Sequence, residues 1–255
     1  MMIDHVIKLN NLIKNLLNLL IIFEKSYYEI IVVENGIKTL DKSIIDSNNE
    51  IIKYKCNEEN LGFSRNVKEV IKLASKKYIW LLSDNDLIDE LNLKLFLKQL
   101  FNGMFDTDII NIPFSETKNG LSNFVINMNN PFEHLNKGEL PFMLMSSIIF
   151  KNKHLNDNNY LENIPDNIYL QNIILYENVG HNPTNFSFDK ILLHYTFEKD
   201  GRFFIVKGHL DFCEILNYFS KKNISSLLVS KKMNFHYCQM LIFEHFANKR
   251  KLVNI

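Results

Sequence analysis

Two carboxylates and an amide stand together directly after an apolar run. Asp84, Asn85 and Asp86 follow Lys77–Leu82 (KYIWLL), a run typical of a buried strand. Two acids one residue apart concentrate negative charge, which a cation that prefers oxygen ligands, Mg²⁺ or Mn²⁺, would offset. We expect Asp86 to be partly exposed, because it lies at a strand end. An ordinary turn, in which Ser, Asp and Asn are common, is the alternative.

A glycine-containing loop leads into a second candidate site. Gly62 lies in Asn60–Asn66 (NLGFSRN), and Arg65 falls in the first turn of the helical pattern that follows. The N–H groups and dipole of a helix N-terminus favour phosphate, and Arg65 would add a bidentate contact. The alternative is an ordinary loop in which Ser64 caps the helix.

Alternating strands and helices are needed to position these residues. Glu29–Val33 (EIIVV) is a β-branched strand pattern that ends at Glu34, Asn35 and Gly36. Strand patterns that alternate with helical patterns imply right-handed βαβ units and a doubly wound, mainly parallel sheet. Such a sheet binds its ligand outside the carboxyl ends of its strands. The acidic turns at residues 34–36 and 84–86 both lie at such ends.

The remaining elements follow from the same periodicities. We predict helices at 9–20, 65–75 and 165–176, strands at 51–55, 108–112 and 191–195, either a strand or a helix start at 142–150, and an irregular loop at 115–140. After residue 207 the spacing of apolar residues is helical. The chain is therefore divided into an α/β domain at 1–200 and a small helical C-terminal portion at 201–255.

Composition excludes several classes of protein. The 255 residues contain 29 Lys and Arg and 29 Asp and Glu, a balance that argues against a strongly basic nucleic-acid binder. Three scattered cysteines indicate a reducing compartment. The longest apolar stretch is too short to span a membrane, and no signal peptide is recognisable. We therefore expect a cytoplasmic protein.

Three ordered segments resemble glycosyltransferase family 2. They are Glu29–Gly36 (EIIVVENG), Asn57–Asn66 (NEENLGFSRN) and Tyr78–Asp86 (YIWLLSDND). The last of these is similar to bacterial, abequosyltransferase-like enzymes that build surface polysaccharide. The resemblance implies a GT-A fold, a nucleotide-diphosphate sugar donor, a glycan or lipid-linked glycan acceptor, Mn²⁺ or Mg²⁺, and inversion at the anomeric carbon.

The resemblance also assigns roles to the residues of these segments. Asp86 matches the metal-binding acid of the family, and Asp84 and Asn85 match positions that line the ribose and the metal. Glu34 matches an acid that contacts the nucleotide, and Arg65 a position near the diphosphate or base. The neighbouring residues Asn35, Gly36, Gly62 and Asn66 complete the predicted nucleotide-sugar site.

Two further roles come from later segments. After Ser146–Lys151 (SSIIFK), the family carries its catalytic base in an acidic pair, which here corresponds to Asp166, with Glu162 as second choice. A solvated carboxylate at a helix start is the alternative for either residue. His194 resembles a late histidine that binds the metal or meets the diphosphate, and a structural histidine is the alternative.

The chain also departs from the family pattern. The family opens with a Val-Ile-Ile-Pro-Thr-Tyr-Asn strand, whereas this chain starts almost directly in a helix, so the strand is short and altered, with residues 5–10 as a candidate, or the product is N-terminally truncated. A degenerate member that binds nucleotide or proteins without turnover is therefore an alternative function.

A receiver-like phosphoacceptor domain is disfavoured, because its acids come from separate strands. Lysines after residue 220 fit a solvated face or a weak contact with an anionic membrane.

Overall fold

The computed structural model describes residues 2–83, 86–116, 145–153, 159–180, 183–195, 211 and 214–222. The helices are α1 (Met2–Leu20), α2 (Lys42–Ser47), α3 (Phe63–Leu73), α4 (Glu90–Phe101) and α5 (Leu170–Val179). The strands are β1 (Ile30–Asn35), β2 (Ile52–Asn57), β3 (Tyr78–Trp80), β4 (Leu87–Ile88), β5 (Ile109–Asn111), β6 (Phe114–Glu116), β7 (Ile148–Lys151), β8 (Asn185–Ser187) and β9 (Leu193–Tyr195). In this part of the chain no helix is both long and apolar enough to cross a membrane.

A long helix precedes the first pair of strands. Residues 5–10, the candidate for an altered first strand, belong to α1, so that interpretation is wrong. The reason is periodicity: Leu9, Ile13 and Leu16 recur at a spacing of four and three residues and pack in one apolar cluster. The first described strand is therefore β1.

β1 and β2 form a parallel pair. Their register runs from Ile30 opposite Ile52 to Asn35 opposite Asn57. A parallel pair requires a crossover connection, which here contains α2. Both strands therefore end on the same side, and the side chains that follow each strand are brought together there.

A second sheet contains β3, β7, β5 and β8 in that order. β7 runs antiparallel to both of its neighbours, and β5 is parallel to β8, so the sheet is mixed. A small third sheet, in the order β4, β9, β6, places His194 opposite both Leu87 and Ser115. The strands predicted at 29–33, 51–55, 77–82, 108–112 and 191–195 are confirmed as β1, β2, β3, β5 and β9, and 148–151 is a strand.

Two apolar clusters cover the sheets. The first joins α3 and α5 to β3, with Val67 and Ile71 of α3 packed in the same cluster as Ile79 and Leu81. The second lies between α1 and α4 and includes Ile30 and Val32 of β1. The helical face predicted for residues 65–75 is therefore confirmed, because it is the face that α3 buries.

Phe96 is the centre of the second cluster and carries a stability prediction. Its side chain is fully buried, and its ring centroid lies 5.2 Å from that of Phe188 and 6.1 Å from that of Phe105. Phe96→Ala is expected to lower the free energy of unfolding by about 3–5 kcal/mol, through lost burial and the cavity left behind. Leu95→Ala, on the exposed face of the same helix, should change it by less than about 1 kcal/mol. Urea unfolding of both variants measures the difference, and equal losses would contradict this core assignment.

The helix predicted at 165–176 is shifted in the structure. α5 begins at Leu170, not at Pro165, because the Asn167 side chain accepts a hydrogen bond from the Tyr169 N–H (2.9 Å) and forms a turn there. The helix ends at Gly180, whose φ of 77° is in the left-handed region. Asp166 therefore lies in the loop before α5.

Of the predicted C-terminal portion, residues 211 and 214–222 are described. Residues 214–221 are helical, and Ile215 and Phe219 are buried in the same cluster as α5. The Asn167 side chain donates to the Asp211 carbonyl (2.9 Å). This segment packs on the α/β core, and the division at residue 200 stays a prediction.

Candidate functional site

The turn after β1 is held against the loop before α3. The Asn35 amide donates to Asn60 Oδ1 (2.7 Å), while Asn35 Oδ1 accepts from the Leu61 N–H (2.8 Å). Asn60 Oδ1 also accepts from the Gly62 N–H (2.9 Å). Two of the segments singled out in the sequence, 34–36 and 60–66, are thereby brought into direct contact.

Gly36 allows the two loops to approach closely. Its φ is +92°, and a Cβ at this position would lie 2.9 Å from the backbone nitrogen of Asn60 and 3.0 Å from the carbonyl carbon of Glu59. Both the backbone conformation and the lack of space therefore require glycine.

This contact leads to a prediction with a matched control. Gly36→Ala is expected to destabilise the protein by about 1–3 kcal/mol and to weaken nucleotide binding, because the two loops must separate. Gly103 has a similar φ of +72°, but a Cβ added there would meet nothing within 4 Å. Gly103→Ala should therefore show only the backbone cost, with nucleotide binding unchanged. Thermal unfolding and calorimetric titration of both variants test this, and identical behaviour of the two would contradict the role given to the loop contact.

Asn66 links the same helix to β1. Its side-chain amide donates to the Val33 carbonyl (3.2 Å), and its Oδ1 accepts from the Asn57 amide (2.9 Å). Asn66 therefore fixes α3 to the ends of both parallel strands. A nucleotide-binding role for Asn66, as the sequence predicts, stays a prediction beside this structural one.

Glu34 is buried and hydrogen-bonded within the chain. One carboxylate oxygen accepts from the Leu40 N–H (2.8 Å) and from the N–H and hydroxyl of Thr39, and the other accepts from the Tyr54 hydroxyl. Burial, followed by the hydrogen bond to Glu34, raises the pKa of Tyr54. The predicted contact of Glu34 with a nucleotide would need one of these bonds to be exchanged, and it stays a prediction.

Arg65 and Asp166 lie side by side. Arg65 Nε is 3.0 Å from one oxygen of Asp166, and Lys68 Nζ is 3.0 Å from the other. Lys68 is largely buried and also donates to the Ile164 carbonyl (2.6 Å). Partial burial raises the pKa of Asp166, but the hydrogen bonds and charges of Lys68 and Arg65 outweigh it, so the pKa is below its ordinary value. Glu162, the second candidate base, is exposed on a 3₁₀ turn at Asn159–Asn163.

Asp86 is anchored below the end of β3. One carboxylate oxygen accepts from the Ser83 N–H (2.6 Å) and the other from the Ser146 hydroxyl (3.0 Å). With 8% of its surface exposed, Asp86 is buried, so the expectation of partial exposure is wrong; the chain folds back through these two hydrogen bonds and covers it. Asp84 and Asn85 lie outside the described residues.

His194 lies in the small sheet that contains β4, the strand that follows Asp86 in the chain. It pairs with Leu87, the residue after Asp86, and its Nδ1 is 2.7 Å from the Ser115 hydroxyl. When Nδ1 carries the proton and donates to Ser115, Nε2 keeps its lone pair, which is the arrangement that metal-binding histidines use. The Asp86 carboxylate is a ligand that suits Mn²⁺ or Mg²⁺, whereas an imidazole nitrogen suits a transition metal such as Mn²⁺ better than Mg²⁺. Within the described residues, which omit Asp84, no group of three or more acidic, His or Cys side chains forms a complete metal site.

The comparison with known families identifies the family of this chain. The model of the family described as "Glycosyl transferase family 2" matches residues 8–183, which include β1, the loop before α3, β3 and Asp166. The chain belongs to glycosyltransferase family 2. No curated protein sequence gives a significant match.

Solved structures support the GT-A fold expected for a family 2 glycosyltransferase. The crystal structure of S. aureus TarS residues 1–349 has 19% identity and a TM-score of 0.52 over 80% of this chain, and the same fragment in complex with UDP has 21% identity and a TM-score of 0.51 over 80%. A longer S. aureus TarS structure has 20% identity and a TM-score of 0.52. The chain spans 61%, 62% and 37% of these three structures, respectively.

Three residues that contact the predicted site residues were not identified from the sequence. Lys68 lies one helical turn after Arg65, a spacing that places both on one face of α3 and could have indicated the shared contact with Asp166. Ser146 lies in the SSIIFK segment, where its sequence context did not indicate a contact with Asp86. Ser115 carried no local signal, because it meets His194 only through the pairing of β6 with β9.

Proposed function

We propose that the protein transfers a sugar from a nucleotide-diphosphate sugar to an acceptor hydroxyl, with inversion at the anomeric carbon. Two contacts carry the proposal: the turn after β1 contacts the loop before α3 at Asn60, and Asp166 contacts Arg65 in the first turn of α3. Both contacts lie in the region that matches glycosyltransferase family 2. Loops at the carboxyl ends of strands in an α/β sheet are where such folds bind their ligands.

The donor diphosphate would bind at the N-terminus of α3. Gly62 is the N-cap of this helix, and no side chain of the cap residue accepts a hydrogen bond from the first N–H groups of α3. These N–H groups and the helix dipole favour an anion at this end of the helix. Arg65, which is two-thirds exposed, would turn from Asp166 to the diphosphate and neutralise part of its charge. The loop containing Asn35 and Gly36 would line the nucleotide.

Asp86 and His194 would hold Mn²⁺ or Mg²⁺, together with Asp84. When bound, the cation would neutralise charge on the diphosphate leaving group. Ser83 and Ser146 keep the Asp86 carboxylate in one orientation, and Ser115 does the same for the His194 ring. Orienting hydrogen bonds of this kind usually support metal ligands.

Asp166 would act as the general base. As the acceptor oxygen forms its bond to the anomeric carbon, the bond to the diphosphate oxygen breaks on the opposite face, and the acceptor proton passes to the Asp166 carboxylate. The nucleoside diphosphate leaves with the electron pair of the broken bond. A pKa below the ordinary value keeps Asp166 ionised before each turnover.

The acceptor that we propose is a bacterial surface glycan, as in lipopolysaccharide, a capsule or a similar polymer, free or lipid-linked. The YIWLLSDND segment supports this class through its resemblance to surface-polysaccharide enzymes. Nucleotide sugars are cytoplasmic metabolites, so the proposed location is the cytoplasm, with weak contact at the inner face of the membrane.

A nucleotide-binding protein without turnover is the second candidate. The internal hydrogen bonds of Glu34 favour it, because they occupy the carboxylate that would contact the nucleotide. Both candidates would bind nucleotide, but only the transferase would consume the donor sugar. Consumption of the donor therefore distinguishes them.

Calorimetric titration tests the donor site. UDP, GDP, CDP and dTDP are titrated into the full chain with Mn²⁺ and then with EDTA, starting with UDP because S. aureus TarS was crystallised with it. Tight binding of one nucleotide that is lost in EDTA is the expected result. Release of that nucleotide from its sugar conjugate then supports the transferase, and binding without release supports the second candidate. No binding of any nucleotide by the folded chain overturns both.

A further inference from the structure

The candidate base lies in a loop rather than on a helix or a strand. Asp166 follows a 3₁₀ turn that ends at Asn163 and precedes α5, which begins at Leu170. Groups on loops are placed less precisely than groups on helices and strands, unless the neighbouring residues are anchored by hydrogen bonds. The contacts of the residues next to Asp166 therefore determine how precisely its carboxylate can meet an acceptor hydroxyl.

The helix α3 anchors the loop from one side. The Ser64 hydroxyl donates to the Asn167 carbonyl (2.8 Å), and the Asn167 N–H donates to the same hydroxyl oxygen (2.8 Å). Lys68, one turn later, donates to the Ile164 carbonyl (2.6 Å). The chain is therefore attached to α3 both before and after Asp166.

The described part of the C-terminal portion anchors the loop from the other side. The Ile168 N–H donates to one carboxylate oxygen of Asp211 (2.8 Å), which is buried. The Asn167 side chain donates to the Glu214 carboxylate (3.1 Å) as well as to the Asp211 carbonyl (2.9 Å). Ile215, in the same portion, is fully buried in the cluster that contains α5. The loop is therefore held between two parts of the chain that are both packed in the core.

Asn167 is the residue at which the two anchors meet. Its surface is 1% exposed, both hydrogens of its side-chain amide are donated to the C-terminal portion, and its amide oxygen accepts from the Tyr169 N–H. A buried polar group that is bound in this way is restricted to one orientation. Because Asp166 is the preceding residue, the orientation of Asn167 also fixes the backbone from which the Asp166 carboxylate extends.

We propose that Asp211 is a positioning residue for the general base Asp166, so that the C-terminal portion takes part in catalysis. Asp211 has this role only if Asp166 takes up the acceptor proton, so the proposal rests on the proposed function. Ser64 attaches the loop at one residue, Asn167, and attachment at one residue leaves the next peptide free to turn. The hydrogen bond from Ile168 to Asp211 removes that freedom. A misplacement of about 1 Å can cost about a hundredfold in rate.

Donor hydrolysis by variants of the full chain tests the proposal, with UDP-glucose and UDP-N-acetylglucosamine as the first probes and water as the acceptor. Asp211→Ala removes the acceptor of the Ile168 N–H and should lower kcat about ten- to a hundredfold, while the calorimetric Kd for UDP stays unchanged. Asp211→Asn keeps an acceptor oxygen and should restore most of the rate. In an Asp166→Asn background, Asp211→Ala should cause no further loss, because its effect passes through the base. Tyr218→Phe, which removes a hydrogen bond from the same portion to Glu177, should keep the wild-type kcat.

Carbon-13 NMR titration of the Asp166 carboxyl gives a second measurement, which needs no turnover. Partial burial raises the pKa of Asp166, but Lys68 and Arg65 outweigh it and hold the pKa below its ordinary value. In Asp211→Ala the loop should turn away from these two cations, and the pKa of Asp166 should rise. Loss of the negative charge of Asp211 would by itself lower that pKa, so a rise reports the movement. Asp211→Asn loses the same charge without the movement and should show no rise.

Several results would overturn the proposal. Wild-type kcat in a folded Asp211→Ala would show that the base needs no support from this portion, and an equal further loss in the Asp166→Asn background would show general damage to the fold. If Asp211→Ala does not fold, Glu214→Ala removes one hydrogen bond to Asn167 from an exposed side chain. It should lower kcat about threefold, and an unchanged kcat would contradict the proposal. A wild-type chain that releases no UDP overturns the proposed function and the catalytic role of Asp211 with it, whereas the NMR titration still decides whether Asp211 places Asp166.

Discussion

Asp86→Asn is expected to abolish cation-dependent nucleotide binding. The substitution keeps the shape of the side chain and a hydrogen-bond acceptor but removes the charge that a divalent cation requires. Changes to residues that merely orient metal ligands already cost 10–100-fold, so loss of the charged ligand should weaken Mn²⁺-dependent binding of the nucleotide by about a hundredfold or more. Calorimetry in Mn²⁺ and in EDTA measures the effect.

The amide is preferable to alanine because Asp86 is buried. Asp86→Ala would leave the Ser83 N–H and the Ser146 hydroxyl without their acceptor, and an unpaired buried group costs about 1–3 kcal/mol. Loss of binding in that variant could then come from a disturbed fold. Asp46→Asn, on the exposed side of α2, is the control with the same charge change. If Asp86→Asn binds nucleotide in Mn²⁺ as wild type does, Asp86 is not the metal ligand.

Local patterns were sufficient to predict most of the fold. The β-branched run of β1 and the apolar face of α3 each specify one element through nearby residues, and both are confirmed. The glycine at position 36 could also be placed at a turn from the sequence. The second reason why this position requires glycine is the close approach of the Asn60 backbone. That approach depends on a loop 24 residues later in the chain, which the local sequence does not reveal.

Features that depend on distant contacts could not be predicted. The burial of Asp86 comes from Ser146, and the internal bonds of Glu34 come from Thr39 and Tyr54. The start of α5 moved because Asn167 forms a turn that overrides the preference of Pro165 for a first helical turn. In each case, a hydrogen bond from a side chain or to a distant residue overrides a local propensity. The periodicity of the sequence does not reveal such bonds.

Asp166→Asn is expected to leave donor binding unchanged and to remove catalysis. The amide keeps one acceptor oxygen, for either Arg65 or Lys68, and loses the other contact. The loop before α5 should still keep its position, because the Ser64 hydroxyl remains hydrogen-bonded to the Asn167 backbone. It cannot take up the acceptor proton, and a general base contributes about 10²–10⁴-fold to the rate. The expected result is a loss of that size in release of nucleoside diphosphate from the donor sugar, with the calorimetric Kd for the nucleotide unchanged.

The pH dependence separates a catalytic role of Asp166 from a purely structural one. Lys68 and Arg65 lower the pKa of Asp166 below its ordinary value, so the carboxylate stays ionised as pH falls, and the acid limb of the rate profile should lie below the usual Asp range. Lys68→Met removes one of these cations and should move the acid limb to higher pH, because the pKa of Asp166 rises. Glu162→Gln, which changes an exposed acid nearby, should leave both the rate and the limb unchanged. Wild-type rates in Asp166→Asn would exclude Asp166 as the base, and a loss in Glu162→Gln would transfer the role to Glu162.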